Sequence, residues 1–273
     1  MDKMNELQKT ELDLFLCFAE ICKKLDLNYF LVAGSALGAK RHGGFIPWDD
    51  DMDVGMYRED YDKFMELVPE MLPENIFLQN YKTDPKYPNV FAKLRNSNTT
   101  YIEKTSKNLD INHGIYIDIF PLDGCPEKPF EVKKLNFIKK IYRLKLFSAF
   151  ELPKSPRGRA VLSLLRLFGC HKRTGKTVAK YEKFISKYSV KESNIICNHG
   201  NWYGEKDYIP KEFYGQGKDI EFEGVKARVP EKCEEYLAAL YGDWQTPPPP
   251  EKQIGHHFYE VCDTNKPYTE YMK

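Results

Sequence analysis

The side chains best suited to chemistry in this sequence are aspartates at two places. Four stand within five residues in the stretch WDDDMDV at 48–54, and Asp118 lies inside the apolar run YIDIF at 116–120. Alternate side chains of a strand share a face, so Asp51 and Asp53 are predicted to point the same way. Two such carboxylates repel each other unless a cation lies between them, and hard oxygen ligands favour Mg²⁺ or Mn²⁺.

The lone Asp118 strengthens this interpretation. A buried, unpaired carboxylate is costly, so we expect Asp118 to share a metal with Asp51 and Asp53. The alternatives are an aspartate on the exposed face of an edge strand and, for the first motif, a solvated acidic loop. Apolar neighbours and Trp48 count against the solvated loop, whereas Asp49 and Asp50 could be loop residues or groups that support the ligands.

A Gly-Ser pair, Gly34-Ser35, follows the apolar run YFLVA at 29–33. The pair stands where a strand is predicted to end and a helix to begin. Such a turn can offer backbone N–H groups and a hydroxyl to a phosphate. The same dipeptide is also a common helix start, so by itself it does not decide between the two roles.

The elements that must position these residues predict an α+β fold. Apolar spacing and turn residues indicate helices at 5–25, 35–41, 58–68 and 231–241, strands at 29–33, 51–56, 76–80, 90–96 and 114–120, and a hairpin at 219–229 that turns at 223–224. We expect a catalytic core at 1–125, a basic helical subdomain at 126–215, and a C-terminal hairpin, helix and tail at 216–273 that complete the site.

Composition excludes several classes of protein. The net charge of +1 names no partner, and the seven cysteines include no CxxC pair, which disfavours a disulfide framework and a zinc ribbon. The first residues lack the apolar core of a signal peptide, and no apolar run approaches 18 residues. We therefore expect a cytoplasmic protein.

The segment 132–183 is strongly basic, with 15 Lys or Arg residues against Glu151 and Glu182. Apolar residues interleave these cations at helical spacing. The segment could lie on an anionic membrane, bind nucleic acid, or form a helical subdomain with a cationic outer face. No nucleic-acid module is visible, so we expect no nucleic-acid partner.

Taken together, the motifs resemble a known superfamily. The order strand, Gly-Ser, helix, Asp-x-Asp and a lone Asp on a later strand resembles the nucleotidyltransferase fold. VAGSALGAKRHGGFIPWDDDMDVGM at 32–56 closely resembles the signature of the LicD family of phosphocholine transferases, which also includes fukutin-related enzymes. The resemblance continues at 114–124 and at 222–244, and then through the proline-rich stretch to His256 and His257. It implies a nucleotidyltransferase-like mixed sheet flanked by helices.

The resemblance also implies roles for particular residues. The catalytic, metal-binding carboxylates would be Asp51, Asp53 and Asp118. The groups that contact or stabilise the donor phosphates would be Gly34, Ser35, Lys40, Arg41 and His42.

Further side chains near the motifs are candidates for substrate contact. They are the cations Lys93 and Arg95, the aromatic residues Trp48, Tyr57 and Tyr116, and the histidines His256 and His257. The cations could hold phosphate or be surface charges, and the aromatic faces could hold a choline head by cation–π contact or pack in the core. The histidines could contact donor or acceptor or lie in a solvated tail, and no zinc role is expected for them.

The implied reaction transfers phosphocholine from CDP-choline to a sugar hydroxyl of a cell-surface glycan or its lipid-linked precursor. Mg²⁺ or Mn²⁺ would assist an in-line transfer that releases CMP. Alternatives are transfer of ribitol phosphate or another phospho-alcohol from its CDP donor, nucleotidyl transfer to a small molecule, and a non-enzymatic glycan- or nucleotide-binding module. A glycosyltransferase is disfavoured, because its Asp-x-Asp motif follows a whole nucleotide-binding half.

Overall fold

The central feature is a mixed β-sheet, seen in a computed structural model that describes residues 4–150, 155–201, 203–255 and 257–272. The strands are β1 (Phe30–Leu31), β2 (Asp53–Tyr57), β3 (Ile76–Gln79), β4 (Ala92–Asn96), β5 (Thr100–Glu103), β6 (Ile115–Gly124), β7 (Ile195–Asn198), β8 (Ile209–Pro210), β9 (Lys218–Phe222), β10 (Val225–Val229) and β11 (Tyr259–Asp263).

The helices flank this sheet. They are α1 (Glu6–Lys24), α2 (Ala33–His42), α3 (Arg58–Leu67), α4 (Pro129–Phe147), α5 (Pro156–Leu167), α6 (Thr174–Ile185), α7 (Lys211–Tyr214) and α8 (Cys233–Tyr241). Among the described residues, none of these helices is both long enough and apolar enough to cross a bilayer.

The main sheet has seven strands, in the order β1-β2-β6-β4-β3, and β7 and β8 continue it from β6. β2 and β6 run parallel, whereas β4 is antiparallel to β6. Every residue of β6 is buried, so β6 is the centre of the sheet. The expected α+β class, a mixed sheet flanked by helices, is confirmed.

Two smaller antiparallel pairs complete the strands. β9 and β10 form the predicted hairpin, with Phe222 opposite Val225, and Glu223 and Gly224 at its turn both have positive φ. β11 pairs with β5 and brings the C-terminal part of the chain back to the core.

Helix α1 anchors the loop that carries the acidic motif. It begins at a capping box in which Asn5 and Gln8 exchange side-chain-to-backbone hydrogen bonds. The amide of Gln8 also donates to the carbonyl oxygens of Ile46 and Asp49, at 3.3 and 3.1 Å. The start of α1 therefore fixes the loop before β2.

Some element boundaries differ from those predicted. β2 begins at Asp53, so Asp51 lies in the preceding loop and the predicted alternation within one strand is wrong for this pair. β7 and β8 fall within 126–215, but they extend the main sheet through pairing of β7 with the end of β6. Helices α4 and α6 of that segment pack through a separate apolar cluster that includes Leu146, Val178 and Ile185.

Candidate active site

A cavity of about 810 Å³ brings most of the chemically interesting side chains together. Of the residues that the sequence singled out, the following line it: Gly34, Arg41, Trp48, Asp51, Asp53, Lys93, Asp118 and His257. α4 and α6 contribute to the wall through Arg143, Leu146 and Tyr181. The cavity therefore lies between the sheet and the basic helices.

The three predicted aspartates meet at one end of this cavity. Asp53 and Asp118 are direct neighbours across the parallel strands β2 and β6. The N–H of Asp118 donates to the carbonyl of Met52 at 2.8 Å, which joins the two strands at this point. Asp51 lies two residues before Asp53 and lines the same cavity.

The Gly34-Ser35 turn packs directly against these carboxylates. The Ser35 hydroxyl accepts the backbone N–H of Asp53 at 2.8 Å, and Ser35 itself is buried. A Cβ on Gly34 would lie 2.8 Å from Oδ2 of Asp49, so a side chain at position 34 would displace that carboxylate. In this structure Ser35 therefore positions the Asp-x-Asp motif.

The carboxylates are crowded, and this changes their acidity. Burial, followed by the nearby Asp51 and Asp118 charges, raises the pKa of Asp53 well above its usual range. Burial likewise raises the pKa of Glu11 on α1, with repulsion from the same aspartates adding to the shift. The Lys93 ammonium lies 2.7 Å from Oδ1 of Asp118 and opposes the rise that burial causes in the pKa of that carboxyl.

Lys93 belongs to a buried stack of charged and aromatic groups. Its Nζ lies 3.2 Å from the centre of the Tyr116 ring, and the Arg95 guanidinium lies 4.6 Å from the same centre. Arg95 donates to Gln79 and to the carbonyl of Gly114, and the Tyr116 hydroxyl donates to Glu103 at 3.0 Å. Arg95 and Tyr116 support Lys93 and Glu103 and do not themselves line the cavity.

His257 enters the site from the C-terminal part of the chain, just before β11. Its backbone N–H donates to Oδ2 of Asp50 at 3.0 Å, and its Nδ1 lies 3.4 Å from Asp50 and 3.7 Å from Asp51. Burial disfavours the charged imidazolium, but the carboxylates around it outweigh burial and raise the pKa of His257 to about 9. His256 lies outside the described residues.

The end of α2 carries three predicted phosphate contacts, Lys40, Arg41 and His42, and only one of the three lines the cavity. Arg41 lines the cavity and donates to the carbonyl of Trp244 at 2.8 Å. Lys40 pairs with Glu234 at 2.7 Å, and His42 packs edge-on against Trp48, with ring centres 6.1 Å apart. Neither Lys40 nor His42 lines the cavity.

Aromatic residues that the sequence argument did not select line much of the cavity. They are Phe91, Phe120, Phe147, Phe150, Tyr181, Tyr203, Tyr241 and Trp244. Of the three aromatic residues that were selected, only Trp48 reaches the cavity, and the Tyr57 hydroxyl instead donates to the carbonyl of Gly215. These rings come from distant elements. Phe120, Tyr241 and Trp244 lie in the segments of the family resemblance at 114–124 and 222–244, which is the signal that could have found them.

A second cluster of potential metal ligands lies at the ends of β6 and β7. Sγ of Cys197 is 3.5 Å from Nδ1 of His199, and Sγ of Cys125 is 4.0 Å from its Nε2. The Lys139 ammonium lies 3.8 Å from the Cys197 sulfur. The two sulfurs face different nitrogens of the His199 ring and do not converge on one point.

The chain is similar in sequence to proteins of one family. Residues 26–155 match the family described as LicD/FKTN/FKRP, nucleotidyltransferase domain. The chain is 30% identical over 269 residues to the lipopolysaccharide cholinephosphotransferase LicD of Haemophilus influenzae, covering 94% of this chain and 97% of that protein.

Two further likenesses are local. A segment of 34 residues is 59% identical to the ribitol 5-phosphate transferase FKRP of Homo sapiens, covering 12% of this chain and 7% of that protein. A segment of 51 residues is 41% identical to the uncharacterized protein RT0683 of Rickettsia typhi, covering 19% and 16%. Because the likeness to LicD extends over almost the whole of both chains, this chain belongs to the LicD family of transferases.

Proposed function

We propose that this enzyme transfers phosphocholine from CDP-choline to a sugar hydroxyl of a cell-surface glycan or its lipid-linked precursor and releases CMP. The observation that carries the proposal is the register of β2 and β6, which sets Asp53 beside Asp118 in a cavity that also holds Asp51. The near full-length likeness to a cholinephosphotransferase supports phosphocholine as the transferred group.

The residues present fit a divalent cation. Asp51, Asp53 and Asp118 line one cavity and offer hard oxygen atoms. Lys93 already pairs with Asp118, and a cation would relieve the remaining repulsion that raises the pKa of Asp53. These three would hold Mg²⁺ or Mn²⁺, which would supply neutralisation of diphosphate charge and polarisation of the reacting phosphorus.

The chain's own cations would hold the rest of the donor phosphate charge. Arg41, Lys93 and His257 line the cavity around the aspartates. The carboxylates beside His257 raise its pKa to about 9, which favours its cationic form. Lys93 is held by Asp118 and by the Tyr116 ring, so it meets an incoming phosphate without losing much side-chain freedom.

The aromatic wall supports choline as the head group. A quaternary ammonium has no hydrogen-bond donor and is bound by aromatic faces. Tyr203 and Tyr241 pack edge-on, with ring centres 5.6 Å apart and hydroxyls 2.7 Å apart, and both line the cavity with Trp48 and Trp244. The local likeness to a ribitol 5-phosphate transferase makes CDP-ribitol the second candidate donor.

The test measures CMP formation from CDP-choline by the purified chain with Mg²⁺ and a saccharide acceptor, in parallel with CDP-ribitol. Asp53→Asn should lower CMP formation by about 100-fold or more, because the variant loses a proposed metal ligand. Each loss of about 1.4 kcal/mol of transition-state stabilisation lowers the rate tenfold. Asp13→Asn, on the exposed side of α1, is the matched control and should keep full activity.

The possible results separate the parts of the proposal. Metal-dependent CMP formation from CDP-choline that Asp53→Asn abolishes would support it. Activity with CDP-ribitol alone would replace the donor. A folded Asp53→Asn enzyme with normal turnover would refute the assigned role of the aspartates.

A further inference from the structure

Helix α4 exposes a stripe of large apolar side chains. Phe130, Phe137, Ile141 and Leu144 recur at helical spacing and are between 38% and 77% exposed. The opposite side of the helix packs inward through Leu135 and Leu146, both of which are buried. This helix therefore presents apolar surface both to the protein and to its surroundings.

Helix α5 presents most of its apolar face outward. Val161, Leu164 and Leu167, followed by Phe168, fall three or four residues apart and are between 48% and 81% exposed. Leu162 is the one buried residue of this helix. Single exposed apolar residues are ordinary on protein surfaces, but contiguous stripes mark an interaction site.

The surroundings of these stripes are cationic. Lys133, Lys134 and Lys140 are exposed on α4, and Arg157, Arg159, Lys172 and Arg173 are exposed on or beside α5. No acidic residue occurs in 155–181, and Glu182 is already engaged with Tyr81 and Arg58. Outward aromatic and aliphatic side chains within a field of cations are the features of a helix that lies in an anionic lipid surface.

We propose that α4 and α5 dock the enzyme on a bilayer that contains anionic lipid. The two helices are tied together, because the Arg166 guanidinium donates to the carbonyls of Ser148 and Phe150 at the end of α4. Apolar side chains enter the boundary between headgroups and acyl chains, and the cations pair with lipid phosphates.

Docking also places the catalytic cavity near lipid. α4 lines the cavity with Arg143, Leu146 and Phe147, so one helix separates cavity from bilayer, and a helix with its side chains is about 10–12 Å across. A glycan acceptor carried on a lipid would then be held close to the aspartates, an advantage that rests on the proposed function.

The test is flotation of the full chain with two kinds of vesicle. One is phosphatidylcholine alone, and the other contains about 30% phosphatidylglycerol, which gives an anionic surface that attracts basic segments. Phe137→Ser with Leu167→Ser removes two outward apolar groups, and Lys133→Glu with Lys140→Glu reverses two charges. Leu67→Ser and Lys23→Glu with Lys63→Glu are controls at exposed positions away from α4 and α5.

The proposal is supported if binding to anionic vesicles falls at least about tenfold in both test variants and is retained in both controls. Binding should also weaken as salt is added. The proposal is overturned if the intact chain does not bind anionic vesicles at low salt, or if the test variants bind as well as the controls. It is also overturned if the chain dimerises through this face, as shown by sedimentation and loss of the dimer in Phe137→Ser with Leu167→Ser. CMP formation with a soluble saccharide should be equal in all variants, which separates failure of docking from failure of the proposed reaction.

Discussion

At the scale of single residues, the site depends on side chains that bind the backbone of the acidic motif at 49–53. The Ser35 hydroxyl accepts the N–H of Asp53, and Gln8 donates to the carbonyl of Asp49. These contacts fix the backbone at the carboxylates, so the aspartates keep their positions despite mutual repulsion. The sequence predicts Ser35 as a phosphate ligand, and that role stays a prediction, whereas the structure shows its hydroxyl bound to the N–H of Asp53.

Ser35→Ala should weaken both stability and catalysis. The substitution removes the hydroxyl that accepts the N–H of Asp53, and an unsatisfied buried donor costs about 1–3 kcal/mol in free energy of unfolding. Urea denaturation and CMP formation measure the two effects. The exposed Ser163→Ala is the control, and a Ser35→Ala enzyme with unchanged stability would show that the hydrogen bond contributes nothing.

Asp207 predicts a pH-dependent contribution to stability. Burial raises the pKa of Asp207 to about 7, although the N–H of Asn198, Lys139 and Asn201 favour its ionised form. The pKa of Asp207 in the folded chain lies above its value in the unfolded chain. Asp207 therefore contributes to the free energy of unfolding below about pH 4, and this contribution is lost as pH rises towards about 7. Asp207→Asn abolishes this titration.

The measurement is urea denaturation of wild type and Asp207→Asn between pH 4 and pH 8, the window that the two pKa values define (about 4 and about 7). Wild type should lose free energy of unfolding relative to the variant as pH rises, while the control Asp13→Asn should follow wild type. Parallel curves for wild type and Asp207→Asn would show that Asp207 titrates alike in the folded and unfolded chains.

At the scale of elements, close packing between α2 and the following loop holds the acidic motif in place. A Cβ on Gly38 would lie 2.5 Å from the carbonyl oxygen of Gly44 and 3.2 Å from the N of Ile46. Both contacts are with backbone atoms, which cannot move aside as a flexible side chain can. The loop that leads to Asp49 therefore depends on the absence of a side chain at position 38.

Gly38→Ala should destabilise the chain by about 1–3 kcal/mol, although alanine favours a helix by about 1 kcal/mol over glycine. Turnover should fall as well, because the loop that carries Asp49 and Asp51 is displaced. Thermal unfolding and CMP formation test this expectation. Ala238→Gly, exposed on α8, measures the ordinary helix effect, and a Gly38→Ala chain as stable as wild type would contradict the packing argument.

At the scale of the whole molecule, a net charge of +1 hides a strong separation of charge. Carboxylates gather at one end of the cavity, where Asp49, Asp51, Asp53 and Asp118 all line it. Exposed cations gather on α4 and α5. The first group suits a divalent cation, and the second suits an anionic surface, so overall charge carries no information about either partner.

Mg²⁺ or Mn²⁺ should stabilise the folded chain measurably. A ligand that binds only the folded state adds about 2.7 kcal/mol when present at 100 times its Kd. Differential scanning fluorimetry with and without each metal measures the shift in Tm. Asp118→Asn should reduce the shift and Asp13→Asn should keep it, whereas a wild-type Tm that neither metal changes would argue against the proposed site.

The sequence by itself determined the class of fold and selected Asp51, Asp53 and Asp118, which the structure brings to one cavity and whose catalytic role stays a prediction. The order of motifs is strand, Gly-Ser, helix and Asp-x-Asp, with Asp118 on a later apolar strand. This order is sufficient to predict the fold class, because local patterns can be identified without knowledge of distant contacts. The hairpin at 219–229 was predictable for the same reason, since its turn residues are neighbours in the chain.

Only the tertiary structure decided which other groups share the cavity. Trp244, Tyr203 and His257 reach the aspartates from far along the chain, and Lys93 reaches Asp118 through the register of β4 on β6. Arg95, a cation of the same strand as Lys93, and Tyr116, an aromatic candidate, do not line the cavity. Strand register and long-range pairing set these outcomes, because both depend on contacts between residues that are far apart in the chain.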